Sequence, residues 1–246
     1  MKTTGNTIFF TGGTSGLGLG LARRFRDLGN TVIISGRRQD LLDRIAAEDG
    51  IEGVALDVAD PDSIARAFEQ VTGAHDVNVL VTMAGIMQVE DLRDPGHLAT
   101  AEQTIDINLL GTIRTVTAFT PYLLKQRDPA ILTVSSGLAS VPLTITPTYS
   151  ATKAAIHSYT QSLRIQLADA GVQVIEVVPP AVRTALLNQE DDERAMPLDE
   201  YLTETMDLLR QHPDADEILV DRVRFLRDAE RENRYDQVIG ILNSVG

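Results

Sequence analysis

The chain has 246 residues, no cysteine and a formal net charge of −13 at pH 7. Nucleic acid and anionic membrane surfaces repel so acidic a protein, so neither is expected as a partner. Without cysteine there can be no disulfide framework, thiol catalysis or thiolate metal site. The four histidines are scattered without metal-ligand spacing, so no metal is expected either. There is no signal peptide and no apolar run of the roughly 18 residues that span a bilayer, so a cytoplasmic protein is expected.

Short apolar runs alternate with amphipathic stretches along the whole chain. The predicted strands are Thr7–Phe10, Thr31–Ser35, Gly53–Leu56, Val79–Thr82, Ala130–Ser135, Gln173–Val178 and a shorter one near Ile218–Val220. Helices are predicted near 17–28, 38–47, 61–72, 98–126 and 147–169, and the tail 221–246 is predicted to be one amphipathic helix. Nearly continuous apolar strands that alternate with helices indicate a parallel sheet covered on both faces. The predicted fold is therefore α/β, with a doubly wound sheet of about seven strands.

A glycine-rich turn follows the first predicted strand. Thr11-Gly12-Gly13-Thr14-Ser15-Gly16-Leu17-Gly18 joins that strand to a helix that stops at Gly29. Bare backbone N–H groups and the positive end of a helix dipole attract phosphate, and glycine lets the backbone approach it closely. The glycine spacing alone is weak evidence. Its position between a strand and a helix predicts a dinucleotide site in a Rossmann-type fold.

Tyr149 and Lys153 lie one turn apart on a predicted helix. Thr146 is predicted to cap this helix, Pro147 suits its first position, and Gly171 is predicted to end it. An ammonium group beside a phenol favours the phenolate, so Lys153 is expected to lower the pKa of Tyr149 from about 10 toward the range of an acid/base catalyst. Tyr-x-x-x-Lys also occurs by chance on helices, so the pair gains weight only beside other motifs.

Seven motifs follow one another along the chain. They are Thr11-Gly12-(x3)-Gly16-Leu17-Gly18, Asp57-Val58, Ala84-Gly85, Asn108-Leu109-Leu110-Gly111, Val134-Ser135-Ser136, Tyr149-(x3)-Lys153, and Pro179 with Val182 and Thr184. In this order they resemble the classical short-chain dehydrogenase/reductase family, from about residue 5 to at least residue 185. Stretches such as Met196-Pro197-Leu198-Asp199-Glu200 are similar to its DltE-like branch. The resemblance implies one NAD(P)-binding domain over 1–246.

The resemblance also implies a nicotinamide cofactor. Its expected contacts are Gly12, Thr14, Ser15, Gly16, Leu17, Gly18, Arg37, Arg38, Asp57, Val58, Ala84, Gly85, Asn108, Tyr149, Lys153, Pro179, Val182 and Thr184. Gly36 stands where an NAD-preferring relative places an acid on the ribose 2′-hydroxyl, and Arg37 suits a 2′-phosphate. NADP(H) is therefore preferred over NAD(H), which stays possible, since Ser15 replaces a second basic residue of many NADP-preferring relatives. The alternatives are a solvated helix start at Arg37 and Arg38, and a simple turn acid at Asp57.

The implied catalytic residues are Asn108, Ser136, Tyr149 and Lys153. Tyr149 would protonate the carbonyl oxygen during hydride transfer and act as base in reverse, while Ser136 would orient that oxygen. Lys153 would also hold the nicotinamide ribose, and Asn108, at a helix distortion, would hold a water that links Lys153 to solvent. Ser135 is the alternative to Ser136, which would then be a strand-end cap. The alternative function is a catalytically silent, dinucleotide-binding redox sensor.

Residues 185–202 are predicted to be a lid over the substrate, and their acidic run 188–194 is interpreted as a solvated face. The expected substrate contacts are Ser136, Tyr149, Met87, Leu138 and Leu187, with Val141, Leu143 and Met196 as further apolar candidates. This composition indicates a neutral, partly hydrophobic ketone or alcohol. In relatives the helices near 98–126 and 147–169 form a subunit interface, so a homodimer or homotetramer is expected.

Overall fold

The computed structural model describes residues 1–188 and 192–244. They form a seven-stranded sheet in which all neighbours are parallel, in the order β3-β2-β1-β4-β5-β6-β7. The strands are β1 (Thr7–Thr11), β2 (Thr31–Gly36), β3 (Glu52–Ala55), β4 (Val79–Thr82), β5 (Ala130–Val134), β6 (Gln173–Val177) and β7 (Glu217–Ile218). The predicted doubly wound α/β fold is confirmed. The seventh strand begins one residue earlier than predicted and ends at Ile218.

Helices cover both faces of the sheet. They are α1 (Gly16–Asp27), α2 (Gln39–Asp49), α3 (Pro61–Ala74), α4 (His97–Thr104), α5 (Gly111–Leu123), α6 (Pro147–Leu167), α7 (Leu198–Gln211), α8 (Arg224–Arg227) and α9 (Tyr235–Asn243). Because strand side chains alternate between faces, Phe10 packs in one core with α1 and α7, and Phe9 in the other with α3 and α5. Phe9 stacks on Phe119 of α5 with ring centroids 5.2 Å apart. Two continuous cores therefore fix the sheet from both sides.

The predicted helix 98–126 is not one regular helix. Its middle, Ile105–Leu110, is a π-helical turn between α4 and α5, which is the distortion expected at Asn108. A π turn carries one more residue than an α turn, so it re-aims the side chains around it. Such turns are common at functional sites, and this one faces the loop after β4.

The prediction of a single amphipathic helix over the tail 221–246 is wrong. The tail forms a 3₁₀ turn at Asp221–Val223, then α8, and then α9 after a connection in which Asn233 has a positive φ of 56°. Its last two residues lie outside the described part of the chain. Its buried apolar residues pack onto two different surfaces: Val223 packs in the core beside the sheet, whereas Val238 packs with Val141. One straight helix could not reach both.

Helix α6 begins after Thr146 with Pro147 in the first turn, as predicted, and Gly171 ends the following 3₁₀ turn in the left-handed conformation. The predicted side-chain cap at Thr146 is wrong, because its buried hydroxyl has no hydrogen-bond partner among the described residues. Glu90 takes that role from the loop after β4. Its carboxylate accepts from the Thr148 N–H at 3.1 Å and from the Thr148 hydroxyl at 2.8 Å.

Among the helices of residues 1–188 and 192–244, none has both the length and the apolar character needed to cross a membrane.

Candidate active site

The carboxyl ends of the strands open onto one cavity of about 980 Å³. The strand order places the loops after β1, β2, β4, β5 and β6 along the same edge, where parallel α/β sheets bind their ligands. All the predicted cofactor and substrate contacts line this cavity except Asn108, which lies behind the loop after β4. The chain thus brings together residues that are up to 172 positions apart, from Gly12 to Thr184.

The glycine turn is shaped by close backbone contacts. Gly12 has a φ of +69°, and a Cβ there would lie 2.7 Å from the Cα of Ala84, so only glycine fits. A Cβ on Gly18 would lie 2.2 Å from the Gly12 carbonyl oxygen. The Ser15 side chain makes no capping hydrogen bond, so no cap competes for the first N–H groups of α1. The turn is therefore suited to an anion.

Sequence analysis did not single out Thr11, which fastens this turn to the neighbouring strand. Its hydroxyl oxygen accepts hydrogen bonds from the N–H groups of Met83 at 3.1 Å and Ala84 at 3.3 Å. Thr11 precedes Gly12 in the recognised motif, but nothing in the sequence shows that its side chain reaches across to β4. The contact holds the two loops that face the cavity in fixed relation.

The end of β2 presents two arginines to the cavity. A Cβ on Gly36 would lie 2.6 Å from Cγ2 of Thr14, which explains why a small residue stands where an acid was considered. Arg37 and Arg38 are exposed and line the cavity. Asp57 lines the cavity, and its side chain accepts a hydrogen bond from the Ala59 N–H at 3.0 Å, as a turn acid does; its contact with adenine stays a prediction.

Ser136, Tyr149 and Lys153 meet in the wall of the cavity between β5 and α6. The Lys153 ammonium donates to the Val134 carbonyl oxygen at 2.8 Å and lies 5.5 Å from the centre of the Tyr149 ring. All three side chains are buried, with 6 to 7% of their surface exposed. The triad is therefore held in a site from which most water is excluded.

Burial controls the protonation of this pair. It raises the pKa of Tyr149 to about 12, because the phenolate would lose its hydration, while the side chain of Ser136 acts in the opposite direction. Burial also lowers the pKa of Lys153 to about 8, opposed by the negative charge of Glu176. The prediction that the pKa of Tyr149 lies below its ordinary value is therefore wrong for the protein alone, because burial is the largest influence on that pKa and raises it.

The Asn108 side chain joins the loop after β4 to the catalytic helix. Its Nδ2 donates to the Ile86 carbonyl and its Oδ1 accepts from the Ile86 N–H, both at 2.8 Å, and Nδ2 lies 3.4 Å from the Thr152 hydroxyl. A Cβ on Gly85 would lie 3.3 Å from Oδ1 of Asn108 and 4.0 Å from the Lys153 nitrogen. Asn108 thus lies against the same glycine as Lys153, but its amide is occupied by Ile86. Its role in holding a water stays a prediction.

A second polar row, not found from the sequence, lies behind the triad. The Ser135 hydroxyl donates to Oε1 of Glu176, and His157 contacts Oε2 of Glu176 at 2.7 Å. Arg227 of α8 lies 3.3 Å from the other ring nitrogen of His157 and binds both carboxylate oxygens of Glu217, at 2.7 and 3.1 Å. The ligand atoms of His157, Glu176 and Glu217 lie within 4.8 Å of one another. The Arg227 guanidinium already supplies a positive charge there, so the group is an ion-pair network and not a metal site.

Part of the cavity wall comes from the C-terminal tail. Tail residues form one wall, namely Arg222, Phe225, Leu226, Ile241 and Leu242. Asn243 fastens the tail, because its Oδ1 accepts from the Thr144 N–H at 2.7 Å and its Nδ2 donates to the Pro142 carbonyl at 3.2 Å. The apolar spacing of the tail was noticed in the sequence, but its partner was not.

Of the apolar candidates for the substrate pocket, Met87, Leu138, Leu143 and Leu187 line the cavity. Val141 and Met196 do not, and both are core residues with at most 1% of their surface exposed. The predicted lid 185–202 is only partly a loop, since Leu186–Asn188 form a 3₁₀ turn and α7 begins at Leu198. Residues 189–191 of its acidic run lie outside the described part of the chain.

Comparison with known proteins places this geometry in context. The family model for short chain dehydrogenases matches residues 6–195. The chain is 38% identical to the uncharacterized oxidoreductase DltE of Bacillus subtilis, over 99% of each chain. It is 32% identical to the uncharacterized oxidoreductase SAR2567 of Staphylococcus aureus, over 77% of this chain and 84% of that one.

Solved structures share the fold. A short chain dehydrogenase from Burkholderia cenocepacia in complex with NADP superimposes with a TM-score of 0.84 at 24% identity, and the match covers 97% of this chain and 99% of that one. A 3-ketoacyl-(acyl-carrier-protein) reductase from Brucella melitensis complexed with NADH gives a TM-score of 0.76 at 27% identity, over 85% and 91% of the two chains.

Proposed function

Because the chain belongs to the short-chain dehydrogenase family, we propose that it is an NADP(H)-dependent oxidoreductase that interconverts a carbonyl compound and a secondary alcohol by hydride transfer, with Tyr149 as general acid/base. The observation that carries the proposal is the meeting of Ser136, Tyr149 and Lys153 in one cavity with the glycine turn. If these three buried polar side chains had only a structural role, they would not need to line the same cavity as the glycine turn.

The residues present fit a nicotinamide dinucleotide. The space that a Cβ on Gly12 would fill against Ala84, and the uncapped start of α1 at Ser15, make a cradle for a pyrophosphate. Asp57 lines the cavity just after β3, where the adenine would be held, and Lys153 lines it beside β5 on the other side of β1, where the nicotinamide ribose would be held. We propose a preference for NADP(H) because Gly36, Arg37 and Arg38 offer cations and no acid to a 2′-phosphate.

The chemistry follows from the protonation states. When bound, a reduced nicotinamide would supply the hydride that the carbonyl carbon accepts. With a pKa of about 12, Tyr149 keeps its proton at neutral pH and can give it to the alkoxide that develops. The charge of Lys153 then stabilises the phenolate that remains. The Ser136 hydroxyl lies beside the phenol and is placed to orient the carbonyl oxygen by a hydrogen bond.

The substrate proposed is a neutral, partly hydrophobic ketone or alcohol. The far end of the cavity is lined by Met87, Leu138 and Leu187 together with Phe225 and Ile241 of the tail. Apolar walls with a few convergent polar groups are typical of small-molecule sites. Substrates that carry several charges would have to lose their hydration against these walls, which costs several kcal/mol, of the order of 2–7 for even one polar group left unpaired.

The proposal includes a cytoplasmic homodimer or homotetramer. Large apolar side chains are exposed along α4, the π turn, the end of α5 and α6, namely Leu98, Ile105, Leu110, Leu124 and Ile165. Ile165 is 78% exposed, which is unusual for a residue of its size on a long helix. Association through these helices would cover that surface, and light scattering coupled to size-exclusion chromatography measures the assembly directly.

The test uses Tyr149→Phe, with Tyr159→Phe as a matched control on the same helix outside the cavity. NADPH and NADH binding are measured by fluorescence titration, and turnover by loss of absorbance at the dihydronicotinamide band with a panel of ketones. Tyr149→Phe should lose about 10²–10⁴-fold in kcat and retain dinucleotide binding, because only proton transfer is removed. Tyr159→Phe should behave as the wild type. Tight NADPH binding without turnover of any carbonyl or alcohol would instead favour the redox sensor.

A further inference from the structure

The buried carboxylate of Glu176 is not accounted for by hydride transfer or by cofactor binding. Glu176 lies on β6 with 1% of its surface exposed, in register with Thr133 of β5. Residues this polar are seldom fully buried unless they are paired. The two groups that hydrogen-bond to its carboxylate, Ser135 and His157, both adjoin the catalytic residues.

The two hydrogen-bond partners of Glu176 both lie near Lys153 in the fold. Ser135, one of its donors, follows Val134, whose carbonyl oxygen accepts the Lys153 ammonium at 2.8 Å. His157, its other donor, follows Lys153 by one turn of α6 and therefore lies on the same face of that helix. Both partners of the Glu176 carboxylate are thus next to Lys153, one through the carbonyl that Lys153 binds and the other through one turn of α6.

Both oxygens of Glu176 have a polar partner. The Ser135 hydroxyl donates to Oε1, and Nδ1 of His157 lies 2.7 Å from Oε2. The other ring nitrogen of His157 lies 3.3 Å from the Arg227 guanidinium, so His157 separates the Glu176 carboxylate from that cation. Glu176 therefore has no direct contact with Arg227 among the hydrogen bonds of this row.

The remaining charges near this row are paired with each other or distant. Arg227 makes its two short contacts with Glu217 of β7, so its charge is engaged there. Arg164 of α6 contributes to the field around Glu217 as well. From α6 the groups that face Glu176 are Lys153 and His157, from β5 Ser135, and from α8 Arg227. Both cations feel the charge of Glu176, but Arg227 is bound by the Glu217 carboxylate, whereas the hydrogen-bond partner of the Lys153 ammonium is the neutral Val134 carbonyl.

We propose that Glu176 is a positioning residue of this active site, a buried counter-charge that is held by Ser135 and His157 and that keeps the Lys153 ammonium charged and in place beside Tyr149. The inference deepens the proposed function, because the charge of Lys153 serves the phenolate of Tyr149. It agrees with the direction in which Glu176 acts on Lys153, raising a pKa that burial has lowered.

The test measures the titration of the Lys153 side chain directly and does not depend on enzyme turnover. The chain has three lysines, Lys2, Lys125 and Lys153, so protein labelled selectively at lysine gives three side-chain NMR signals, two of which are assigned by Lys2→Arg and Lys125→Arg. The wild-type Lys153 signal should titrate near pH 8. In Glu176→Gln, which keeps the shape of the side chain, the midpoint should fall by about one pH unit or more, because a nearby opposite charge shifts a pKa by 1–3 units.

Glu217→Gln is the matched control. It removes the same charge from β7, which lies one strand further from Lys153 than β6 does. It should shift the Lys153 midpoint by less than Glu176→Gln does, because Glu217 lies one strand further away and makes its short contacts with Arg227. An unchanged midpoint in folded Glu176→Gln, or an equal fall in Glu217→Gln, would overturn the proposal, whether or not a ketone substrate has been found. Loss of turnover in Tyr149→Phe bears on the proposed function only, so the two can fail separately.

If Glu176→Gln does not fold, as judged by circular dichroism, a second measurement uses the effect of Lys153 on the glutamate in the wild type. Two groups that interact shift each other equally, so in the wild type one glutamate carboxyl ¹³C signal should step at the Lys153 midpoint. That step should vanish in Lys153→Met. A wild-type protein in which no glutamate signal steps with Lys153 refutes the proposal.

Discussion

Replacing Lys153 by methionine should stabilise the protein while it abolishes activity. The pKa of Lys153 falls from 10.5 to about 8 on folding, and each pKa unit corresponds to about 1.36 kcal/mol, so the buried ammonium costs on the order of 3 kcal/mol at neutral pH. Methionine has a similar length and no charge. It forfeits the hydrogen bond to the Val134 carbonyl, worth about 1 kcal/mol. The expected net gain is about 2 kcal/mol, or roughly 4–8 °C in Tm for a chain of this size.

The gain in stability of Lys153→Met over wild type should become smaller as the pH rises. An unfolded lysine keeps its proton up to about pH 10.5, whereas the folded one releases it near pH 8. The cost of Lys153 is therefore complete below pH 8 and disappears as the pH rises from 8 to 10.5. Wild type should approach Lys153→Met in stability across that window.

Urea denaturation at pH 7, 8, 9 and 10 and at one protein concentration measures the difference. Lys125→Met, at an exposed position, is the control and should stay within about 0.5 kcal/mol of wild type at every pH. The reasoning is refuted if Lys153→Met is no more stable than wild type at pH 7. It is also refuted if the difference between them is the same at pH 7 and pH 10.

Three further predictions concern the cavity walls. Gly12→Ala should abolish dinucleotide binding in fluorescence titrations, because the added Cβ would overlap the loop after β4. Gly73→Ala is the control, since a Cβ at this position near the end of α3 meets nothing within 4 Å. This variant should bind the dinucleotide normally and be about 1 kcal/mol more stable than wild type. Arg37→Ala should weaken the binding of NADPH by about 10–100-fold, since a charge-assisted hydrogen bond contributes about 1.5–3 kcal/mol, and should leave the binding of NADH unchanged. Equal losses of affinity for both cofactors would contradict this. Asn243→Ala should lower the free energy of unfolding in urea by about 1–2 kcal/mol and speed tryptic cleavage of the tail, and an unchanged digestion rate would show that the tail is held elsewhere.

Local signals in the chain were sufficient for the fold. Strand-like runs such as Val79–Thr82 are mostly apolar and buried throughout because both faces of the sheet are covered, and the alternation with amphipathic helices then leaves a parallel arrangement. The glycine turn and the pair Tyr149 and Lys153 could also be found, because each depends on spacing within a few residues. Boundaries were less certain where tertiary contacts decide them, as at Thr146, whose predicted cap is replaced by Glu90 from a distant loop.

The chemistry of the site was predicted only in outline. Residue types at fixed spacing identify a phenol and an ammonium, but a pKa depends on how much water surrounds them. Sequence reasoning placed the cation beside the phenol and so expected a lowered pKa at Tyr149. In the folded chain both groups are buried, desolvation is the larger effect, and the pKa rises.

The sequence by itself determined the order of the strands and of helices α1 to α6 along the chain, the glycine turn and the pair Tyr149 and Lys153, because these follow from periodicity and from contacts along one helix or turn. Only the tertiary structure decided that the tail closes the cavity and that Glu176, His157 and Arg227, from a strand and two separate helices, form a row behind Lys153. Contacts between residues so far apart in the chain leave no periodic pattern, since each partner is chosen by the packing of the sheet and not by its neighbours in sequence.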